Sequence, residues 1–420
     1  MALVVQKYGG SSVGSTERLL MVARRLIATK ERGDRVVAVV SAMGDVTDEL
    51  VCKALEISEC PPEREMDMLL ATGEQVTIAL LAMATHSLGH EAISLTGAQA
   101  GIVSDASHTK ARIQEVRTDR VREALDAGQI VIVAGFQGLT PEGEITTLGR
   151  GGSDTTAVAV AAGLGADVCE IYTDVDGVYT ADPRIAPQAH KIDEISYDEM
   201  LEMAATGARV LQLRSVEFAR NHGVVLHVRS SFNDNPGTIV READATMEQA
   251  IISGVTHDTS EAKVTIRDVP DRPGVAAEVF GRLADASVNV DMIIQNVSEH
   301  GTTDISFTTP KDDLVRARRA VERVVAELGA RDSTVDESIA KVSLVGAGMK
   351  THPGVAASMF RALADAGVNL DMISTSSIRI SCVIDAAQVD VAVKALHTAF
   401  GLDEKAVTAE VAPAATGAGS

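Results

Sequence analysis

The first 235 residues alternate short runs of β-branched residues with longer amphipathic stretches. The apolar runs predict strands at 3–6, 35–41, 130–135, 168–173 and 224–228. Strands and helices that alternate in this way form an α/β domain with a mainly parallel sheet. Ligands of such sheets bind where loops leave the carboxyl ends of the strands, so we expect the chemistry in those loops.

The pattern changes after residue 230. Turn formers followed by charged residues occupy 232–248 without a clear period, which indicates a linker. Residues 272–293 then return at 352–373 with an offset of 80 (352 minus 272), and roughly two-thirds of the positions are identical. In each copy a strand, at 262–267 or 341–345, leads to a Pro-Gly turn, a helix and a second strand. The chain therefore contains two copies of one small module.

These changes predict a domain at 1–235, a linker at 236–249 and modules at 250–340 and 341–410. The first strand of the 250–340 segment is able to join the sheet of the second module. The small-residue stretch at 411–420 is predicted to be disordered.

The composition of the chain limits the classes of partner and the cellular compartment that we expect. The formal net charge of −21 excludes a nucleic acid or an anionic membrane surface, and 3% aromatic residues supply few stacking platforms. Four cysteines without a CxxC pair suggest neither a zinc site nor a disulfide framework. With no secretory signal and no apolar run near the roughly 20 residues of a membrane span, we expect a cytoplasmic protein.

Two glycine-rich loops are candidate anion sites. Lys7, Gly9, Gly10 and Ser11 follow a strand and precede a helix from about residue 15, where backbone N–H groups can hold a phosphate. The lysine precedes the glycines, so this is not a Walker A loop, and an ordinary glycine turn remains an alternative.

The second loop, at 146–156, opens a helix at 157–162. Gly151 and Gly152 permit close backbone approach, Arg150 can bind a carboxylate as a fork, and Asp154 can orient a cation near the transferring group. A structural turn with a capping aspartate is the alternative here.

A third segment, at 172–184, mixes hydroxyl, aromatic, acidic and arginine side chains that suit a nucleotide. Its spacing does not meet the EF-hand pattern, so calcium is not expected, and a plain surface loop remains an alternative. Asp67, with Glu63 and Glu65, is interpreted as a solvated helix start.

Five motifs together resemble the aspartate kinases: KYGGSS at 7–12, SAMGDVTDEL at 41–50, GEQ at 73–75, TLGRGGSDTTA at 147–157 and TDVDGVYTADPR at 173–184. The resemblance implies a three-layer αβα amino-acid kinase fold with a mainly parallel sheet, followed by two α+β ACT domains of βαββαβ type. It also implies transfer of the γ-phosphate of ATP, with Mg²⁺, to the side-chain carboxylate of L-aspartate, which is the first step toward lysine, threonine, methionine and diaminopimelate.

The same resemblance assigns roles to residues. Lys7 and Asp154 are the catalytic pair, in which Asp154 holds Lys7. The implied aspartate-binding residues are Ser41, Thr47, Glu74, which takes the ammonium, Arg150, which takes the α-carboxylate, and Gly151, Gly152 and Ser153. The implied ATP-binding residues are Lys7, Tyr8, Gly9, Gly10, Ser11, Thr173, Asp174, Tyr179, Thr180, Asp182, Arg184 and Arg209. Arg209 stands where relatives carry a lysine, and a planar fork is not a point charge. No metal ion held mainly by protein side chains is expected.

ACT domains place an effector amino acid between paired modules. The implied residues in the first copy are Asp271, Pro273, Gly274, Val275, Ala276, Asn289, Asp291, Gln295 and Asn296. Those in the second copy are His352, Gly354, Val355, Asn369, Asp371, Ser374 and Thr375. Thr351 stands where the first copy has Asp271, so unequal sites are expected.

Lysine, threonine or both are the implied inhibitors. We also expect a homo-oligomer formed through these modules, and a separate short subunit starting near Met247 is conceivable. Two alternatives remain open: a kinase for another substrate, such as glutamate, acetylglutamate or a nucleoside monophosphate, and a non-catalytic sensor with a degenerate kinase half. A repeat that serves only for dimerisation is the alternative for the modules.

Overall fold

The computed structural model describes residues 1–243, 251–296 and 301–404. The predicted start near Met247, part of the predicted linker and the predicted tail at 411–420 lie outside the described residues. The strands of the N-terminal domain are β1 (Leu3–Tyr8), β2 (Arg35–Val40), β3 (Ala92–Leu95), β4 (Ile102–Ser104), β5 (Ile113–Val116), β6 (Ile130–Ala134), β7 (Gln137–Leu139), β8 (Ile145–Thr147), β9 (Val168–Thr173), β10 (Glu194–Ser196), β11 (Leu226–Ser230) and β12 (Thr238–Arg241). Its helices are α1 (Gly10–Val13), α2 (Thr16–Glu31), α3 (Val46–Ile57), α4 (Glu63–Ser87), α5 (Asp119–Asp126), α6 (Gly152–Leu164), α7 (Tyr197–Ala205) and α8 (Leu213–His222).

The main sheet has eight strands in the order β10-β12-β11-β9-β1-β2-β6-β3. All neighbouring pairs are parallel except β11 and β12. Successive side chains of a strand point to opposite faces. On β2, Val37 and Val39 therefore pack with α5, α6 and α8, whereas Val36, Ala38 and Val40 pack with α2 and α4. Helices cover both faces, which confirms the predicted three-layer α/β sandwich.

The domain boundary predicted at residue 235 is too early. The turn formers at 233–237 connect β11 to the antiparallel strand β12, which is hydrogen-bonded into the main sheet. They act as a hairpin turn. The N-terminal domain therefore extends to residue 241.

The C-terminal half forms two four-stranded sheets. Its strands are β13 (Gly254–Asp258), β14 (Glu261–Pro270), β15 (Ile293–Gln295), β16 (Thr302–Pro310), β17 (Asp332–Asp336), β18 (Ile339–Val345), β19 (Met372–Thr375) and β20 (Arg379–Asp385). Its helices are α9 (Val275–Asp285), α10 (Leu314–Leu328), α11 (Val355–Asp365) and α12 (Val389–Ala399), and 3₁₀ turns cover Lys311–Asp313, Ala347–Lys350 and Ala386–Gln388.

The two sheets have the same layout but different chain order. The first repeat domain has the strand order β15-β16-β14-β17 and follows a βαββαβ path. The second has the order β13-β18-β20-β19, so β13, which precedes the first repeat domain in sequence, takes the place that β17 has in the first. The second repeat domain is thus closed by the strand that follows β12 in the element order.

Buried charges join the two repeat domains. The Lys341 ammonium on β18 is 1% exposed and contacts the carboxylates of Glu261 and Asp291 from the first repeat domain. In return, Lys263 of the first domain pairs with Asp371 of the second. Each domain therefore places a lysine against a carboxylate of the other.

Helix α4 has 25 residues and is apolar enough to cross a membrane by length and composition, and it is the one such helix in the described parts of the chain. Half of its most apolar window is buried inside the protein, against α2 and the main sheet. The same helix carries the carboxyl groups of Asp67 and Glu74 on its buried side, and both would be costly to place in the apolar interior of a bilayer.

Candidate active site

Four adjacent parallel strands bring the predicted loops to one edge of the sheet. The order β9-β1-β2-β6 places the residues after Thr173, Tyr8, Val40 and Ala134 side by side. β1 is the point at which the chain order reverses, since β2 lies on one side and β9 on the other. Open α/β sheets bind ligands in the crevice at such a point. The segments predicted to bind the nucleotide (173–184, the nucleotide loop), its phosphates (7–11, the phosphate loop) and aspartate (41–47) therefore follow one another along this edge.

Lys7 and Asp154 form a largely buried ion pair. Asp154 lies in the first turn of α6, and its Oδ1 is 2.6 Å from Lys7 Nζ at the end of β1. The contact joins the two glycine-rich loops, which lie about 140 residues apart in sequence. It fixes the ammonium beside Gly9, where a side chain would lie 3.4 Å from Nζ.

The segment after β2 packs on the backbone of the phosphate loop. The N–H of Ser41 donates to the carbonyl of Tyr8, and the N–H of Gly44 donates to the carbonyl of Gly10, both at 3.1 Å. A side chain at Gly10 would lie 3.0 Å from the carbonyl oxygens of Ala42 and Gly44, so this close approach favours glycine. Ser41 thereby adjoins the phosphate loop, and Thr47 lies in the first turn of α3.

Glu74 reaches this segment from α4. Its Oε1 accepts a hydrogen bond from the Ala42 N–H at 3.1 Å, while Oε2 is buried without a hydrogen-bond partner among the described residues. Burial raises the pKa of the carboxyl to about 7, against the opposing effect of backbone hydrogen bonds. A buried carboxylate oxygen without a partner is suited to a ligand cation.

The loop before α6 is held by residues distant in sequence. Gly151 has φ of 71°, and a side chain there would lie 2.2 Å from Gln212 Cγ. The Arg214 guanidinium donates to the carbonyls of Leu148 and Ala111, and Ser153 lies against Gly135. Arg150 itself is 96% exposed, 4.0 Å from Asp312 of the first repeat domain. The residues on either side of Arg150 are thus held by contacts, whereas the Arg150 guanidinium, which is predicted to bind a carboxylate, is exposed to solvent.

A cavity of about 840 Å³ lies beside the β9 end of this edge. Its lining includes the predicted residues Thr173, Asp174, Tyr179, Asp182, Arg184 and Arg209. A volume of this size accommodates a nucleotide. The far wall comes from residues 255–259, on and after β13. Sequence reasoning missed this wall, because β13 belongs to the regulatory half of the chain.

Charged side chains in the cavity are already paired. Arg184 binds both Asp182 oxygens, with Nε–Oδ1 at 3.0 Å and Nη2–Oδ2 at 2.7 Å, which lowers the pKa of Asp182. Arg209 lies 3.8 Å from Asp258 Oδ1, with most of its side chain exposed. The two guanidinium groups remain accessible to the cavity, so phosphate oxygens can take over these contacts.

Two predicted ATP-binding side chains point elsewhere. The Tyr8 ring is fully buried and stacks on Tyr172, with ring centroids 4.8 Å apart, so only its backbone faces the loop. Thr180 is 3% exposed, and its hydroxyl contacts His397 behind the cavity wall. Its neighbours Tyr179 and Ala181 line the cavity.

Asp67 is not solvated, contrary to the interpretation from sequence. It is fully buried and receives hydrogen bonds from the Thr109 N–H at 3.0 Å and the Thr147 hydroxyl at 2.5 Å, and its Oδ2 lies 2.7 Å from His108 Nδ1. Thr147 starts the Arg150 loop. The signal in the sequence was weak, because an acid in the second turn of a helix is normally exposed.

The predicted effector residues lie at corresponding places in the two repeat domains, just before and in the first turns of α9 and α11 and around β15 and β19. Most are exposed, whereas the Val275 side chain is buried in the core of the first domain. Asp291 and Asp371 are each bridged to a lysine of the other domain, as described above. An effector ammonium that used these carboxylates would compete with Lys341 or Lys263.

An edge of this kind, with a largely buried cation between a nucleotide-sized cavity and a second candidate anion site, has the features that a small-molecule kinase needs for phosphoryl transfer. Residues 2–230 match the amino acid kinase family, and residues 267–325 and 342–400 match the ACT domain. The chain is 57% identical over 414 residues to the aspartokinase of Mycolicibacterium smegmatis, covering 97% of this chain and 98% of that protein. The chain belongs to the aspartokinases.

Solved structures agree with this assignment. E. coli aspartokinase III in complex with aspartate and ADP (R-state) has a TM-score of 0.80 and 25% identity, covering 94% of this chain and 99% of that one. The same enzyme in complex with lysine and aspartate (T-state) has a TM-score of 0.75 and 25% identity, covering 95% and 99%. The predicted family and fold, with two ACT domains, are confirmed.

Proposed function

We propose that this chain transfers the γ-phosphate of ATP to the side-chain carboxylate of L-aspartate, giving 4-phospho-L-aspartate and ADP. The observation that carries the proposal is the position of the Lys7–Asp154 pair. It lies on the strand between the nucleotide cavity after β9 and the acceptor segment after β2. Neighbouring strands are roughly 4.8 Å apart, so the two substrates meet within about 10 Å across this edge.

The reaction needs positioning and charge neutralisation. A carboxylate oxygen of aspartate forms a bond to Pγ while the bond from Pγ to the bridging oxygen of ADP breaks, and ADP leaves as an anion. The acceptor is already ionised, so no general base is required. Lys7 neutralises charge that develops on the phosphoryl oxygens, and the backbone N–H groups of Gly9, Gly10 and Ser11 hold them.

Mg²⁺ would travel with the nucleotide. The described residues contain no group of three or more His, Cys, Asp or Glu side chains able to hold a metal. Mg²⁺ bound mainly by phosphate oxygens and water, with at most one or two carboxylates, fits this donor set. The ion would supply positive charge that neutralises the phosphate oxygens of the nucleotide.

Glu74 and Arg150 select the amino acid. The unpartnered Oε2 of Glu74 is suited to the α-ammonium of aspartate, and the exposed guanidinium of Arg150 is suited to the α-carboxylate once it turns inward from Asp312. Gly151, Gly152 and Ser153 support that loop. The side-chain carboxylate is then left for the phosphoryl group.

The proposed reaction is the first step toward lysine, threonine, methionine and diaminopimelate. Lysine, threonine or both therefore inhibit the enzyme through the ACT domains. The T-state of E. coli aspartokinase III contains lysine. Thr351 occupies the position in the second repeat that Asp271 occupies in the first, and this difference favours two unequal effector sites.

The chain forms a homo-oligomer through the ACT domains and works in the cytoplasm. β15 and β19 are sheet-edge strands, and both expose an isoleucine, Ile293 and Ile373, at equivalent repeat positions. Light scattering of the purified chain tests the oligomer: a monomer at all concentrations contradicts it.

The activity is tested by ATP-dependent formation of aspartyl hydroxamate, in which hydroxylamine traps the acyl phosphate. We expect hydroxamate from L-aspartate, little from L-glutamate, inhibition by lysine or threonine, and loss of at least 100-fold in kcat for Asp154→Asn. Asp119→Asn is the matched control, because Asp119 is an exposed aspartate in the first turn of α5.

A well-folded wild type that makes no hydroxamate but binds lysine or threonine would support the non-catalytic sensor. Turnover with glutamate in place of aspartate would support the alternative that the chain is a kinase for another amino acid. The intact Lys7–Asp154 pair argues against the sensor.

A further inference from the structure

The back of the nucleotide loop is part of the hydrophobic core of the second ACT domain. Ala181 and Ala186 are almost fully buried, and they belong to the same cluster as Leu344 on β18 and Leu396 on α12. The loop that follows β9 thus has one face toward the nucleotide cavity and one face inside the regulatory domain.

Thr180 is the residue at which these two faces meet. Its carbonyl accepts a hydrogen bond from the Val255 N–H on β13 at 2.7 Å, and its N–H donates to the His190 carbonyl at 3.0 Å. Its hydroxyl accepts from the His190 N–H at 3.2 Å and lies 2.9 Å from His397 Nε2. Backbone and side chain are both fixed from behind the cavity.

His397 is oriented by Asp403. The ring lies in the last turn of α12 and is 1% exposed, and its Nδ1 is 2.7 Å from Asp403 Oδ1. An ionised carboxylate only accepts hydrogen bonds, so Nδ1 carries a proton and, in the neutral ring, Nε2 is the acceptor. The Thr180 hydroxyl, whose oxygen accepts from His190, then donates its hydrogen to Nε2.

This Thr–His–Asp order resembles that of a hydrolase triad, yet the hydroxyl is not a nucleophile. Thr180 is 3% exposed and its side chain lies behind the cavity wall, so no substrate carbon reaches the oxygen. A buried network of satisfied polar groups instead fixes one conformation of the chain that it joins. Here that chain is the segment between Tyr179 and Asp182, both of which line the cavity.

We propose that His397 is a positioning residue for ATP: through Thr180 it holds the nucleotide loop in its binding conformation, so the last helix of the second ACT domain sets the affinity for nucleotide. The proposal rests on the proposed function, because it assigns the cavity to ATP. It concerns the nucleotide side of the site and leaves the aspartate side, around Glu74, unchanged.

The test compares His397→Leu, His397→Gln and Thr180→Val in the full-length chain. Binding of the fluorescent analogue TNP-ATP, KM for ATP, KM for aspartate, kcat and Tm are measured for each. Loss of a buried neutral hydrogen bond weakens a linked equilibrium roughly 3- to 10-fold. We expect His397→Leu and Thr180→Val each to raise the Kd for TNP-ATP and the KM for ATP by this factor, with KM for aspartate within about twofold.

Two further comparisons separate positioning from structure. His397→Gln keeps an acceptor near the position of Nε2, so it restores the KM for ATP to within about twofold of wild type. The double variant of His397→Leu with Thr180→Val is no worse than Thr180→Val alone, because that change already removes the contact with His397. His86→Leu is the matched control, since His86 is an exposed histidine in the last turn of α4.

A lower Tm with an unchanged KM for ATP would overturn the proposal and leave His397 a structural residue, as would an equal rise in both KM values. If His397→Leu fails to fold, Thr180→Val and His397→Gln still decide. Failure of the wild type to bind TNP-ATP is a different outcome, because it contradicts the assignment of the cavity and with it the proposed function.

Discussion

The Glu199 carboxylate accepts a hydrogen bond from the Ala347 N–H, 3.1 Å away, and so joins a kinase-domain helix to the second ACT domain. Ala347 begins the turn that leads to the predicted effector residues His352 and Gly354. One turn further along α7, Glu202 accepts from the Ser376 hydroxyl at 3.0 Å and pairs with Arg379 at 3.1 Å. Helix α7 therefore contacts segments on either side of the predicted effector residues at 352–375, and the residues that follow it, 207–210, line the cavity.

Glu202→Ala is expected to weaken feedback inhibition. Removal of its two contacts loosens the connection between the effector site and the cavity, and allosteric coupling is typically 1–3 kcal/mol. The effector concentration for half inhibition should rise about 3- to 10-fold, with the uninhibited kcat within about twofold. Glu217→Ala, at an exposed position on α8, is the control. Unchanged inhibition in Glu202→Ala would show that α7 does not carry the coupling.

Aspartate binding is expected to weaken below about pH 7. The pKa of Glu74 is raised to about 7 by burial, so protons compete with the ammonium of aspartate for its carboxylate as the pH falls. KM for aspartate should rise roughly tenfold per pH unit below the pKa and level off above it. In Glu74→Gln, KM should be high and nearly independent of pH between 6 and 8. A pH-dependent KM in this variant would exclude Glu74 as the titrating group.

Lys7→Met and Asp154→Asn are expected to have effects that do not add. Each change breaks the same ion pair, so the double variant should lose no more than about tenfold in kcat beyond the worse single variant. Each single variant should lose about 100- to 1,000-fold in kcat. Lys53→Met, on the exposed side of α3, serves as the control. Additive losses in kcat would mean that the two residues act separately.

Lys341→Met is expected to destabilise the chain by about 3–5 kcal/mol, because it leaves two carboxylates beside a buried site without their cation. Lys263→Met, which breaks the more exposed pair with Asp371, should cost less than about 1 kcal/mol. Chemical denaturation measures both. Equal effects would contradict the different burial of the two lysines.

The stability from Lys341 should also depend on pH. Burial alone lowers the pKa of this ammonium, but Glu261 and Asp291 outweigh burial and the net pKa is raised. A raised pKa means that the contribution is complete below the pKa of the unfolded lysine and is lost as the pH rises through the folded value. The difference in Tm between wild type and Lys341→Met should therefore shrink above about pH 10.5. A constant difference up to pH 11 would speak against this assignment.

Local signals were sufficient for much of the fold and for three loops of the site. β9 matches its prediction, and β1, β2 and β6 match theirs to within two residues, because continuous β-branched runs leave little choice to a buried strand. β11 is shifted by two residues from the predicted strand at 224–228, and α6 begins at Gly152, earlier than the predicted 157. Boundaries depend on neighbouring elements, and Gly151 in the left-handed conformation starts that helix.

By itself the sequence determined the α/β pattern, the repeat, and the loops around Lys7, Arg150 and Asp174, since each is written in consecutive residues. Only the tertiary structure decided that Asp67 is buried, that residues 255–259 form a wall of the cavity, and that Thr180 bonds to His397, 217 residues away. Those facts depend on partners brought together by packing. The burial and the hydrogen bonds of a side chain depend on residues that are distant in sequence, so they cannot be predicted from its own short segment.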